Sequence, residues 1–285
     1  MSRFLPFLFL LLSVVSVRAA DDLSFIPVMD QTLTAALDDC RERGMTMFDL
    51  HIHRRGGMDA TKAAMRQVAT GIRSGLLENV GREWPLHDAA TLREHIEAAE
   101  TVRGRGVELL VGIQVNDRDW HETIDPALFR RLDFVLADTM IMGTDREGRP
   151  CRLWMEDRYD IDDADAWMER YMEHNLQVLN EPIDILANPT YLPKKIANQY
   201  DRLWTRQRME KIIETAIKNG VALEIQAESE FPKLGFLKLA KQKGAKFSFG
   251  TNNHDDKPKD LTRWFEVIRE LDLKPDDIYV VSKKR

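Results

Sequence analysis

Short apolar runs alternate with longer helical runs from near the start of the chain to its end, and this alternation limits the fold more than any other feature. Apolar periodicity, caps and breakers predict helices over residues 30–43, 59–69, 90–102, 163–179, 204–218, 232–243 and 260–271. Between them fall strands over 45–51, 75–79, 107–115, 134–138, 183–187, 221–226 and 246–250, with a last short one over 278–281. The run over 107–115 is nearly all apolar, as a strand covered on both faces should be. Strands separated by helices pair in parallel through crossovers, which gives an α/β fold. Seven well-marked strands fit a closed β/α barrel better than an open sheet. No Ser/Gly linker or repeat divides the chain, so residues 20–285 are expected to form one domain.

Residues 4–17 are almost wholly apolar, follow Arg3 and lead into Val17-Arg18-Ala19. This predicts a signal peptide over residues 1–19, cleaved after Ala19, and a periplasmic or secreted product. The run is too short for a membrane span of roughly 20 residues, so no membrane contact is expected after cleavage. The formal net charge of −6 and the lack of a long basic run argue against nucleic acid and for a small-molecule partner. Export permits a disulfide between Cys40, in a predicted helix, and Cys151, in a loop, yet two unpaired, partly buried thiols are the plainer expectation.

In a parallel barrel the strand C-termini converge on one face, where chemistry gathers. Here they are polar: His51 and His53 after the first strand, Gln114 and Asn116 after the third, Asp138 after the fourth, Asn188 after the fifth, Glu224, Gln226 and Glu228 on the sixth, Asn252 and His254 after the seventh. Strict alternation in Phe48-Asp49-Leu50-His51-Ile52-His53 predicts Asp49, His51 and His53 on one face. Two imidazoles so placed suit one zinc, manganese or iron ion.

Asp49-Leu50-His51-Ile52-His53, Asp184-Ile185-Leu186-Ala187-Asn188-Pro189 and Gly250-Thr251-Asn252-Asn253-His254, in this order, resemble the PHP (polymerase and histidinol phosphatase) family. The resemblance covers residues 46–254 and implies a distorted seven-stranded, TIM-like barrel with up to three divalent metals that hydrolyses phosphate esters. The chain departs from the family pattern at Gln114, where a metal-bridging glutamate is expected, at Asn188 and Asp138, where histidines are, and at Asn252, where an aspartate is. Amides offer a carbonyl oxygen but no charge, so a three-metal centre is not expected.

The expected centre is one metal, at most two, held by His51, His53, Asp138 and His254, with Glu224 as general base and Asp138 as a second catalytic carboxylate. Arg54, Arg55, Gln114, Asn116, Asn188, Gln226, Asn252 and Asn253 are the expected substrate contacts, arginines for an anionic group and amides for hydroxyls. Arg152 is a further candidate anion ligand, and Trp84, Trp120 and Trp154 are candidate stacking surfaces. The leading expectation is an exported metal-dependent phosphoesterase. The alternatives are a barrel that keeps only a pocket for a sugar or nucleotide, and a metal-assisted lyase or isomerase.

Overall fold

The computed structural model describes residues 23–281 apart from 119 and 123, so the predicted signal segment lies outside the described residues. Helix α1 (Gln31–Glu42) opens the fold, followed by β1 (Phe48–His53), α2 (Ala60–Thr70), β2 (Arg73–Leu77), the short β3 (Asn79–Val80), α3 (Ala89–Arg103) and β4 (Leu110–Val115). Next come α4 (Pro126–Phe129), β5 (Phe134–Ala137), a ribbon of β6 (Ile141–Thr144) and β7 (Pro150–Arg152), α5 (Ala164–Leu179) and β8 (Ile185–Leu186). Last are α6 (Lys194–Ala197), α7 (Tyr200–Leu203), α8 (Arg206–Asn219), β9 (Ala222–Gln226), α9 (Leu234–Gln242), β10 (Phe247–Gly250) and α10 (Thr262–Leu271).

Four helix starts share one device. Asp30, Asp59, Asp88 and Asp163 stand ahead of α1, α2, α3 and α5, and their carboxylates accept from the first free backbone N–H groups. Gly220 ends α8 with φ +70, a left-handed turn that glycine takes without strain. The amphipathic α10 buries Trp264, Phe265, Val267, Ile268 and Leu271, each worth about 1.5–3 kcal/mol when fully removed from water. No helix among the described residues is long and apolar enough to cross a membrane.

The strands pair in parallel in the order β1-β2-β4-β5-β8-β9-β10, with β3 beside β4. The result is a nearly closed seven-stranded parallel barrel inside a ring of helices, compatible with a TIM-like architecture. At the remaining seam, β1 and the chain just beyond β10 touch through His53 N–H to Asn253 O (2.9 Å) and Asn253 N–H to His51 O (3.2 Å). Phe48, Leu50, Leu77, Leu110, Phe134, Leu136, Ile185, Ala187 and Ala222 fill the interior. The Phe134 ring lies so close to Gly75 and Gly112 that a Cβ at those positions would stand 2.9 and 2.5 Å from it.

At the N-terminal mouth Tyr279 N–H donates to Phe247 O (2.7 Å), and Tyr279 and Val281 pack on the inner cluster. The segment expected as a strand over 278–281 therefore makes only one isolated bridge, Ile278 with Phe247. The antiparallel β6–β7 ribbon was not expected. Cys40 and Cys151 are both buried and unpaired.

Candidate active site at the C-terminal end of the barrel

The first strand is not regular. Asp49 pairs with Ser74 and Ile52 with Leu76, so three steps on β1 face two on β2, and one residue is extra. Such a bulge resets the alternation. Leu50 belongs to the inner cluster and Ile52 to the outer one, while His51 and His53 both reach the inner polar network. Asp49 leaves the face it was expected to share. Its carboxylate accepts from Thr251 N–H (2.9 Å) and from the Thr251 hydroxyl (2.7 Å), stapling the seam of the barrel.

The two imidazoles meet. His51 Nε2 and His53 Nε2 are 3.3 Å apart, and both rings are fully buried. Each Nδ1 faces a carboxylate: His51 Nδ1 lies 2.6 Å from Glu224 Oε1, and His53 Nδ1 a longer 3.4 Å from Glu78 Oε1. Carboxylates on Nδ1 fix which nitrogen carries the proton and turn both Nε2 atoms to a common point. Gln114 Oε1 lies 3.0 Å from His51 Nε2, while Gln114 Nε2 donates to Asp138 Oδ2 (2.8 Å) and, at 3.3 Å, to Asn116 Oδ1.

The partners of Glu224 complete the ring. Its Oε2 accepts from Asn188 N–H (3.2 Å), and Asn188 Oδ1 accepts from Gln226 Nε2 (2.9 Å). Both oxygens of Glu224, the expected general base, are thus engaged, one by His51 and the other by Asn188. Gly250 is what lets the pair form. A Cβ there would overlap Glu224 Oε1 and stand 2.6 Å from His51 Cβ. Asn188, Thr190 and Asn252 have φ of +48, +62 and +51, a left-handed backbone that asparagine tolerates and β-branched threonine rarely adopts. Thr190 is held there by a hydrogen bond from Tyr200 (2.8 Å).

Electrostatics divide the two histidines. Burial alone would lower the His51 pKa, but the Glu224 carboxylate and its hydrogen bond, with the charge of Asp138, carry it above the ordinary value. His53 falls to about 3 through burial, reinforced by the neighbouring His51 and His254 and only partly opposed by Glu78. Burial pushes Asp138 up against the pull of the Met140 N–H, His51 and Arg118. Glu78 would also rise on burial, yet hydrogen bonds from His53, Arg55 and Asn79 N–H hold it at about 2.

His51, His53, Gln114, Asn116, Asp138, Asn188, Glu224 and Gln226 are therefore joined in one network. Arg55 enters it through Glu78 and Asn79 Oδ1 (2.6 Å). His254 stacks on His53 at the mouth, ring centroids 4.1 Å apart. Arg54 turns away to an exposed pair with Glu94 (2.5 Å), and Asn253 donates to Lys257 O (2.8 Å). Asn252 is partly exposed. Trp120 is buried, its Nε1 donating to Glu181 (2.8 Å), whereas Trp154 is exposed. Glu78 and Asn79 escaped the sequence reading, although the rule that selects Gln114, a polar residue closing an apolar strand, selects them too.

A metal–imidazole bond is about 2.0–2.1 Å long, so two imidazoles on one tetrahedral ion stand roughly 3.3 Å apart. The His51–His53 separation matches that spacing, and Gln114 Oε1 offers an oxygen beside it. Two imidazole nitrogens and one amide oxygen thus approach a common point, while among the described residues no group of three or more His, Cys, Asp or Glu side chains is set to hold a metal ion.

No family model matches the chain, and no curated protein matches it. The fold and the site define a parallel β/α barrel with a buried, histidine-centred polar network at its strand C-termini.

Proposed function

We propose that this barrel is of PHP type and serves as an exported, metal-dependent hydrolase of a small phosphoester. One zinc, manganese or iron ion would be held by His51 and His53, with Gln114 Oε1 beside them. The observation that carries this reading is the pair of facing Nε2 atoms, 3.3 Å apart, each ring backed by a carboxylate on Nδ1.

An ion in this position supplies a Lewis acid for an ester oxygen and acidifies a water. The chain's own groups do the rest. Glu224 and Glu78 hold the rings, and Arg55 keeps Glu78 ionised and in place. Asp138 is the carboxylate of this network that touches neither histidine, which leaves it to move a proton at the reacting atoms. The barrel wall beneath, built of Phe48, Leu50 and Leu136, excludes water from below.

The amide pairs Gln114–Asn116 and Gln226–Asn188 favour a second reading, a barrel that binds a polar ligand such as a sugar without turnover, because amides both donate to and accept from hydroxyls. Turnover of p-nitrophenyl phosphate separates the two. After chelation and readdition of manganese, zinc or iron, the hydrolase should regain activity, and His51→Ala/His53→Ala should lower it by roughly a hundredfold or more. Silence with every metal, together with a thermal shift on adding sugars, would support the binding reading instead.

A further inference from the structure

Beside the histidine centre, on the same end of the barrel, lies a cleft of about 370 Å³. The loop after β3, the end of β4 and the β6–β7 ribbon form it, and Asn116, already bonded to Gln114, belongs to its wall. Three guanidinium groups, from Arg82, Arg118 and Arg152, line it against the carboxylates of Glu83 and Asp117.

Two of these cations are held in place. Arg118 donates to Glu181 Oε1 (2.8 Å) and to Asn116 O (2.6 Å), and Trp120 fixes the other oxygen of Glu181 (2.8 Å). Arg152 lies over the Trp84 ring, 4.8 Å from its centroid. Its acid partner Glu83 stands 3.8 Å away and is 67% exposed, a weak pair. Arg82 is exposed and pairs with no acid among the described residues. A planar guanidinium fork matches an oxyanion and holds it by two parallel bonds. The cleft suits part of a small molecule, and the acidic chain around it disfavours a polyanion.

We propose that this cleft binds a second, distal anionic group of the substrate, a phosphate or carboxylate carried a short way from the ester that lies at His51 and His53. This rests on the hydrolase reading for the ester, but not for the cleft itself. The substrate class thereby narrows to small esters with an anion at the far end.

The test is calorimetric titration of inorganic phosphate into the mature chain in chelator, beside Arg82→Gln/Arg152→Gln, Arg82→Gln alone and His51→Ala/His53→Ala, with thermal melts to confirm folding. Saturable binding is expected, roughly tenfold weaker or more in the double arginine variant, intermediate in Arg82→Gln, and unchanged in the histidine variant. Succinate competing as well as phosphate identifies a carboxylate site; phosphate alone binding identifies a phosphate site. No binding, equal binding by the arginine variants, or loss only in the histidine variant overturns the cleft. Arginine-dependent binding in a protein that gains no activity on any metal keeps the cleft and removes the hydrolase reading.

Discussion

Glu224→Ala is expected to destabilise the metal-free protein by about 3 kcal/mol in urea unfolding at pH 6, near the lower bound for breaking a buried ion pair. The lower bound applies because His51 can shed its proton once its partner is gone. What remains is a buried Nδ1–H without an acceptor and an Asn188 N–H that has lost Glu224 Oε2. Glu224→Gln keeps one oxygen, enough for His51 Nδ1–H, but sets an NH2 group against the Asn188 N–H, and should cost about 2 kcal/mol, less than the alanine change. The difference between wild type and Glu224→Gln should also depend on pH. The folded pKa of His51 is raised above its ordinary 6.5, so the pair's contribution is fully present below pH 6.5 and fades as pH rises through the folded value. Metal affinity should fall by roughly ten- to a hundredfold in the alanine variant, because the ring loses the group that aims Nε2.

Gly250→Ala should produce nearly as large an effect with a single methyl group. The added Cβ would overlap Glu224 Oε1 and crowd His51 Cβ at 2.6 Å, and neither neighbour can retreat, since Glu224 is held by Asn188 and His51 lies in the bulged strand. Overpacking of this kind costs about 1–3 kcal/mol. It should also push Glu224 off His51, so metal affinity should drop while the far-ultraviolet spectrum stays that of a folded barrel. Gly250→Ala combined with Glu224→Ala should cost less than the sum of the two, because the second change removes the atom that the methyl strikes.

The barrel was legible because its signals are local. Apolar runs, aspartate caps and glycine stops each act over a few residues, and the strands and helices form where those residues lie. Polar strand ends were legible for the same reason, and Gln114, Asp138, Asn188, Glu224 and Gln226 do converge with His51 and His53. The bulge in β1 was not, because Phe48-Asp49-Leu50-His51-Ile52-His53 alternates without a break, and only the register against β2 reveals the extra residue. That one residue sends Asp49 to the seam. Adjacent Arg54 and Arg55 part for a similar reason, one to Glu94 on α3 and the other to Glu78, a choice made by neighbours distant in sequence. The β6–β7 ribbon did carry a local signal, the turn from Asp145 to Gly148, which helix–strand alternation hides.

A metal at His51 and His53 is the central proposal, and metal content by mass spectrometry of residues 20–285, purified without chelator, tests it directly. About one equivalent of zinc, manganese or iron per chain, absent from His51→Ala/His53→Ala, is the expected result. Substoichiometric metal in both proteins, unchanged after incubation with each of the three ions, would contradict it.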